Sequence, residues 1–373
     1  MLAKEGGKPM ELSPEKRALL WLSSAEVSAH RVSALVDQLG SARAVWEAFS
    51  TDACPKFMPK AKKTLEELHS EAKIDALIRR LEEKHVHLLF ADDEAFPPLL
   101  AEIPDPPFLL YYAGKPECLT KPCVAVVGTR TPSDYGRHMA ADIARGLCEA
   151  GVTVVSGLAR GIDYAAHEGA LSVNGCTVGV LGSGINRPYP SEHTPMLRQI
   201  ASGKGLIISE FPLDATPMPF HFPYRNRIIA GLSVGTVFVE GRIQSGGMHT
   251  VTSALDQGRE VFAVPGQTGY IGAEGPLAIM REGARLVTGA RDILEDLSLV
   301  PLMQPLRRPK KQPPLPPLQR QIIRALRIQP MNIDELAAAL KTGTDEIMTE
   351  AGIMEISGLI RREAGNSFAL PNQ

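Results

Sequence analysis

The sequence predicts an α/β protein built on a doubly wound parallel sheet, with a helical module before it and a winged helix after it. Three observations carry this reading. Six short apolar runs, CVAVVG, VTVVSG, CTVGVLG, LIISE, GTVFVE and EVFAVPG, follow one another at roughly 25–30-residue intervals. Helix-like stretches such as DYGRHMAADIARGLCEAG and GIDYAAHEGALSVNG separate them. Near-continuous apolar strands alternating with helices imply a parallel sheet covered on both faces, wound by right-handed crossovers. Finally, a proline-rich stretch precedes three short helical patterns and a hairpin-like tail.

Taken in order, residues 1–115 read as a helical module, because apolar residues between 11 and 49 recur at three- and four-residue steps. Its end, AFPPLLAEIPDPPFLLYYAGKPE, is proline-rich and extended. Residues 116–298 hold the six strands. Residues 299–317, with the basic cluster Arg307, Arg308, Lys310 and Lys311 among prolines, read as a semi-rigid linker. Residues 318–373 supply the winged helix. Its expected recognition helix, TDEIMTEAGIMEISGL, carries Asp345, Glu346, Glu350 and Glu355 and no Lys or Arg. A phosphate backbone repels such a face, so this module is expected to serve protein contact or regulation.

Composition narrows the class. With 44% hydrophobic and 22% charged residues the chain is ordinary globular material with enough apolar mass for its own core. Five cysteines, Cys54, Cys118, Cys123, Cys148 and Cys176, are odd in number and scattered, without a CxxC pair. That argues against a disulfide framework and a zinc site, and for a reducing compartment. The N-terminal segment lacks the apolar core of a signal peptide and no apolar run approaches the ~18 residues of a membrane span, so a cytoplasmic location is expected.

In open parallel sheets, ligands bind outside the carboxyl ends of the strands. The loops there hold Gly128, Gly157, Gly182, Ser183, Gly184, Ser245 and Gly246, whose type permits close backbone approach and anion binding by free amides. Residues 121–296 contain 15 basic and 16 acidic residues, yet six of their thirteen arginines fall in those loops: Arg130, Arg160, Arg187, Arg225, Arg227 and Arg242. Arginines gathered beside bare amides predict a phosphate-binding rim. The plainer reading of a single one, such as Arg160 pairing with Asp163, does not account for six. The segment MPFHFPYRNRIIAG adds Phe220, His221, Phe222 and Tyr224 between cations, in a chain with only 5% aromatic residues. Aromatic faces stack on unpaired bases while guanidiniums take phosphates, which predicts single-stranded nucleic acid; Phe220 could equally fill core.

Several catalytic signatures fail on context. GLSVG matches GxSxG but precedes a strand, whereas a nucleophile elbow follows one. No GxxxxGK[ST] is present, and neither GTRTPSDYG nor GSGINR completes a dinucleotide fingerprint. Asp163 and His167 share a helix face but read as capping and packing, since a metal site needs more ligands. Glu210 and Glu240 end separate strands, where each could anchor an arginine. No catalytic residue, metal or cofactor is expected.

The strings VAVVGTRTPSDYGRHMA, VVSGLARGIDYAAHEGAL, VGVLGSGINRPYP, ISEFPLDATPMPFHFPYRNRIIAGLS and REVFAVPG closely resemble the DNA-processing protein A family, also called Smf. The resemblance covers about residues 120–295 and implies an extended Rossmann-like fold. The N-terminal module resembles the family's sterile-alpha-motif-like domain and the last sixty residues its winged-helix appendage. It implies a homodimer that binds single-stranded DNA, protects incoming DNA and loads a RecA-type recombinase during natural transformation. Duplex DNA and a single-strand-binding protein are further candidate partners. Carried over by motif, contacts would come from Arg130, from Gly182, Ser183 and Gly184, and from Phe222, Arg225 and Arg227, with Arg160 on the same face. Two positions depart from the family's pattern: Gln244 stands where a basic residue is common, and Leu277 where a loop Asn is usual. The alternative is a nucleoside-monophosphate phosphoribohydrolase-like enzyme; such enzymes carry PGGxGT followed by acids, where this chain has SGGMHT.

Overall fold

The structure, a computed structural model, describes residues 10–49, 51, 56–299, 315–363 and 367–370. By its internal contacts the chain forms two compact units, Met1–Met303 and Gln304–Gln373.

The larger unit begins with five helices: α1 (Pro14–Ser24), α2 (Ala29–Leu39), α3 (Ala42–Ala48), α4 (Pro59–Leu68) and α5 (Glu71–Glu83). Ser13 and Ser41 cap α1 and α3 by accepting from the Lys16 and Ala44 amides, and Gly40 ends α2 at φ 92°. Trp21 is fully buried at their centre, its ring edge-on to Trp46 at 4.9 Å and its Nε1 donating to the Leu65 carbonyl at 2.9 Å.

The helical reading of residues 1–115 fails at its end. Residues 87–114 contain two strands, β1 (His87–Phe90) and β2 (Leu109–Gly114), around a short α6 (Pro98–Ala101). Both join the main sheet: β1 pairs antiparallel with β2, which pairs antiparallel with β6 (Leu206–Ser209). The five helices therefore share a core with the sheet, in which Trp21, Tyr111, Leu181 and Ile207 belong to one buried cluster.

All six expected strands form. They are β3 (Cys123–Val127), β4 (Thr153–Ser156), β5 (Thr177–Leu181), β6, β7 (Gly235–Phe238) and β8 (Glu260–Ala263), followed by a two-residue β9 (Arg285–Leu286). The sheet order is β1-β2-β6-β5-β4-β3-β7-β8-β9, parallel from β6 to β9. Side-chain alternation divides the apolar residues between two cores. Val124 and Val126 pack with α7 (Asp134–Glu149), α8 (Ile162–Ser172) and α13 (Ala290–Asp296). Ala125 and Val127 pack with α10 (His221–Gly231), α11 (Gly246–Asp256) and α12 (Glu274–Arg281) on the other face. A six-residue α9 (Thr194–Gln199) links β5 to β6. Strand order reverses at β3: the chain steps outward from β3 to β6, then returns to place β7 on the other side of β3. Ligands of doubly wound sheets bind at that switch point.

The smaller unit has α14 (Pro317–Leu326), α15 (Ile333–Leu340), α16 (Thr344–Ile356) and the antiparallel pair β10 (Arg361–Arg362) and β11 (Phe368–Ala369), the expected winged helix. Its core is Ile322, Leu326, Leu336, Ile347, Met354 and Phe368. Pro317, assigned to the linker from sequence, opens α14; the linker's basic cluster lies outside the described residues. No helix among the described residues is long and apolar enough to cross a membrane.

Candidate nucleic-acid interface

A cleft of about 570 Å³ opens at the switch point, between the carboxyl ends of β3 and β7. Gly128 and Arg130 come to it from β3, Ser245 and Gly246 from the start of α11, and Phe222 and Arg225 from α10. A recess beside it adds Gly157 and Arg160. Eight of the twelve residues expected from sequence thus converge here. Ser245 is the N-cap of α11, and its hydroxyl is buried without a hydrogen-bond partner among the described residues. The positive end of that helix faces the cleft. The cleft also includes Tyr189, Asn226 and His249, which sequence reasoning did not select.

The six arginines separate into three groups. Arg130, Arg187 and Arg242 are exposed, and none forms an ion pair among the described residues. Arg130 lies over the Phe222 ring at 5.8 Å. Arg160 is exposed but pairs with Glu192 at 2.5 Å, not with Asp163 as its spacing suggested. Arg225 and Arg227 are turned into the protein, which corrects their expected place on an exposed rim.

Arg225 forms the floor of the cleft. It is only 4% exposed, and its Nη1 donates to the carbonyl oxygens of Gly157, at 2.8 Å, and Val180. Burial lowers its pKa to about 10, so it remains a cation at neutral pH. Asp163, also buried, accepts from the amides of Gly157 (3.0 Å) and Ala159 (3.4 Å) and balances that charge. Glycine is required at 157: a Cβ there would stand 2.5 Å from Arg225 Nη2 and 2.7 Å from Asp163 Oδ2.

Arg227 does not line the cleft. Its guanidinium makes a two-pronged contact with Glu210, at 2.9 and 2.7 Å, reaches Asp105 at 3.3 Å and stacks on Tyr224 at 4.0 Å. Glu210 thus anchors an arginine, one of the readings its strand-end position allowed. Glu240 instead accepts from the Ser133 amide (2.9 Å) and hydroxyl (2.6 Å) and from Tyr270 (2.8 Å), fixing the start of α7.

Gly182, Ser183 and Gly184, expected as contacts, are buried beneath the site. Ser183 donates to the Arg187 carbonyl at 2.8 Å and its own carbonyl accepts from Ser209. A Cβ at Gly182 would meet the Phe222 ring at 2.9 Å, so this glycine lets Phe222 lie flat against the β5 loop. Phe222 is half-buried, with Tyr189 at 5.3 Å between ring centroids. Phe220 is 65% exposed, which settles it as surface and not core, while Tyr224 faces Asp105 away from the cleft. His167, buried, shares a hydrogen bond with Thr177 at 2.7 Å, and burial depresses its pKa to about 3, so it packs as a neutral ring apart from Asp163.

A doubly wound sheet with a cleft at its switch point, lined by Arg130 and by the start of α11, defines a protein of Rossmann-like class. Comparison with known proteins makes the assignment narrower: residues 87–298 match the model of the family described as DNA recombination-mediator protein A, and the chain belongs to that family. Residues 307–366 match the DprA winged helix domain. Protein Smf of Escherichia coli is 44% identical over 224 residues, 60% of this chain and 60% of that one. Protein Smf of Synechocystis is 33% identical over 324 residues, covering 77% and 81%. The X-ray structure of DNA processing protein A from Streptococcus pneumoniae is similar over 77% of this chain and 99% of its own, with TM-score 0.65 and 31% identity. A Helicobacter pylori structure of DNA processing protein A, which concerns its single-stranded DNA binding mode, is similar over 57% of this chain and 95% of its own, with TM-score 0.51 and 27% identity.

Proposed function

We propose that this protein binds single-stranded DNA in the β3/β7 cleft and, as a cytoplasmic homodimer, protects incoming strands and passes them to a RecA-type recombinase in natural transformation. The observation that carries the first half is Arg130, which lines a cleft edged by Phe222 and Tyr189, together with Arg187 and Arg242 in the loops after β5 and β7, all three exposed and without ion-pair partners among the described residues. Such cations take phosphates while the rings stack on bases, and no sequence readout is needed. The start of α11 adds fixed positive potential beneath. Recombinase transfer is supported by the family's description as a recombination mediator. Binding requires neither a nucleotide nor a metal ion in this reading, and duplex DNA and single-strand-binding protein are secondary partners.

Fluorescence anisotropy with a labelled oligonucleotide tests it, against duplex and mononucleotide competitors in the presence of a chelator. Tight binding of the single strand, falling linearly in log affinity with log salt, is the expected result. Hydrolysis of a nucleoside monophosphate without oligonucleotide binding would establish the phosphoribohydrolase-like alternative.

A further inference from the structure

Four cysteines that are scattered in sequence meet at one edge of the sheet. Cys123 opens β3, Cys176 immediately precedes β5, Cys148 lies in the last turn of α7, and Cys118 sits in the turn before β3. This is the amino end of the strands, opposite the cleft. The Cys118 and Cys176 side chains pack in the same apolar cluster on one face of the sheet, whereas Cys148 packs against the cluster on the other face. Cys148 Sγ donates to the Cys176 carbonyl at 3.4 Å, and Cys123 Sγ to the Lys121 carbonyl at 3.4 Å.

These sulfurs are not equivalent. Cys118 and Cys123 are buried; Cys148 and Cys176 are half-buried. Burial pushes the Cys123 and Cys148 thiols up to about 12 and raises Cys118 as well, so these three hold their protons at neutral pH. Cys176 alone has a cation at its sulfur, with Lys121 Nζ 3.5 Å away. Reactive cysteines are partly exposed and electropositive in surroundings, while buried apolar ones are inert. The backbones of Cys118 and Cys176 are also fixed. Thr153 Oγ1 donates to the Cys118 carbonyl at 2.8 Å and the Val154 amide to the Cys176 carbonyl at 3.2 Å, so both hang on the start of β4.

We propose that Cys176 and Cys118 are a peroxide-reactive thiol pair, with Cys176 the site of attack and Cys118 the resolving thiol. Cys176 loses its proton and its sulfur attacks one peroxide oxygen. The O–O bond breaks, an S–O bond forms, and the leaving hydroxide takes the proton and departs as water, giving a sulfenic acid. The Cys118 sulfur then attacks Cys176; the S–S bond forms, the S–O bond breaks, and the Cys118 proton leaves with the hydroxide as a second water. Two thiols are oxidised and one peroxide is reduced to two waters. No other co-reactant is needed.

The full-length protein is treated with hydrogen peroxide, alkylated under denaturing conditions and mapped by mass spectrometry without reduction, which separates the pair from Cys54. An intramolecular Cys118–Cys176 peptide is expected. Cys118→Ser should stop at a Cys176 sulfenic acid that dimedone captures. Cys176→Ser should slow thiol loss at Cys118 by roughly tenfold or more, since the attacking thiolate sets the rate. A different pairing, a link between chains, or loss of the Cys118 thiol at the wild-type rate in Cys176→Ser would overturn the proposal, and the wild-type map alone decides the pairing if a variant fails to fold.

Discussion

Replacing Arg227 with Met separates a structural arginine from a DNA-contacting one. The guanidinium is 12% exposed and its partner Glu210 10%, with N–O distances of 2.9 and 2.7 Å. Met preserves the stem that covers Tyr224 but leaves Glu210 without its counter-charge. Removing one partner of a buried pair costs about 3–5 kcal/mol. For the unit Met1–Met303, an unfolding entropy of about 2.1 cal/mol/K per residue converts that into a drop of roughly 5–8 °C in its thermal transition. The loss should depend on pH. Burial already raises the Glu210 carboxyl above its ordinary value despite Arg227, and without Arg227 it rises further. A raised folded-state pKa means that the native variant binds the extra proton, so its stability falls as pH rises from the unfolded carboxylate value, about 4.5, through the raised one. The deficit should therefore be smaller at pH 5 than at pH 8. Calorimetry at both values, with oligonucleotide titration of the folded protein, reads both effects. A variant with wild-type melting that has lost tenfold or more in DNA affinity would show that Arg227 reaches the strand, contrary to its geometry.

The exposed arginines should behave oppositely. The triple change of Arg130, Arg187 and Arg242 to Ala should leave melting within about 1 °C and reduce the slope of log affinity against log salt by about 2; an unchanged slope places the strand elsewhere. Phe222→Ala should cost about 1–3 kcal/mol of DNA affinity through lost stacking, measured by anisotropy, and unchanged affinity would remove Phe222 from the site. Deleting residues 318–373 should change single-strand affinity no more than a few-fold, because α16 presents Asp345 and Glu346 with exposed Met348, Ile353 and Ile356, a face unsuited to phosphates. A hundredfold loss, about 2.8 kcal/mol, in a folded truncation would contradict that.

The parallel sheet was legible because each central strand is a short apolar run bounded by turn residues. β1 and β2 were not, because HLLF and LLYYAG lack β-branched residues and sit among prolines in a helical neighbourhood. β2 joins the sheet by pairing with β6, some hundred residues on in sequence, and no local pattern announces that pairing. Strand order was equally hidden, so the loops could be chosen correctly while the position of the cleft between β3 and β7 could not. The misplacement of Arg227 had a readable cause. HFPYRNRIIAG is helix α10, and residues two apart on a helix point nearly opposite ways, whereas Phe222 and Arg225, three apart, share a face. The cysteine cluster joins Cys118, Cys123, Cys148 and Cys176 from four separate segments, so counting and spacing alone suggested nothing.

A net charge of −2 looks unsuited to a DNA binder until the partners of each charge are known. In the larger unit, acids hold particular arginines: Glu210 and Asp105 take Arg227, Asp163 lies against Arg225, and Glu192 meets Arg160. Balanced pairs of this kind contribute almost nothing to the field beyond the protein. Arg130, Arg187 and Arg242 lie at the carboxyl edge without such partners among the described residues. The field felt by a strand is therefore set by these three and by the start of α11, and the total charge is no measure of it. Asp163, one of the acids that make the chain neutral, lines the cleft and accepts from the Gly157 and Ala159 amides, so removing it to raise net charge would weaken the site it was meant to strengthen.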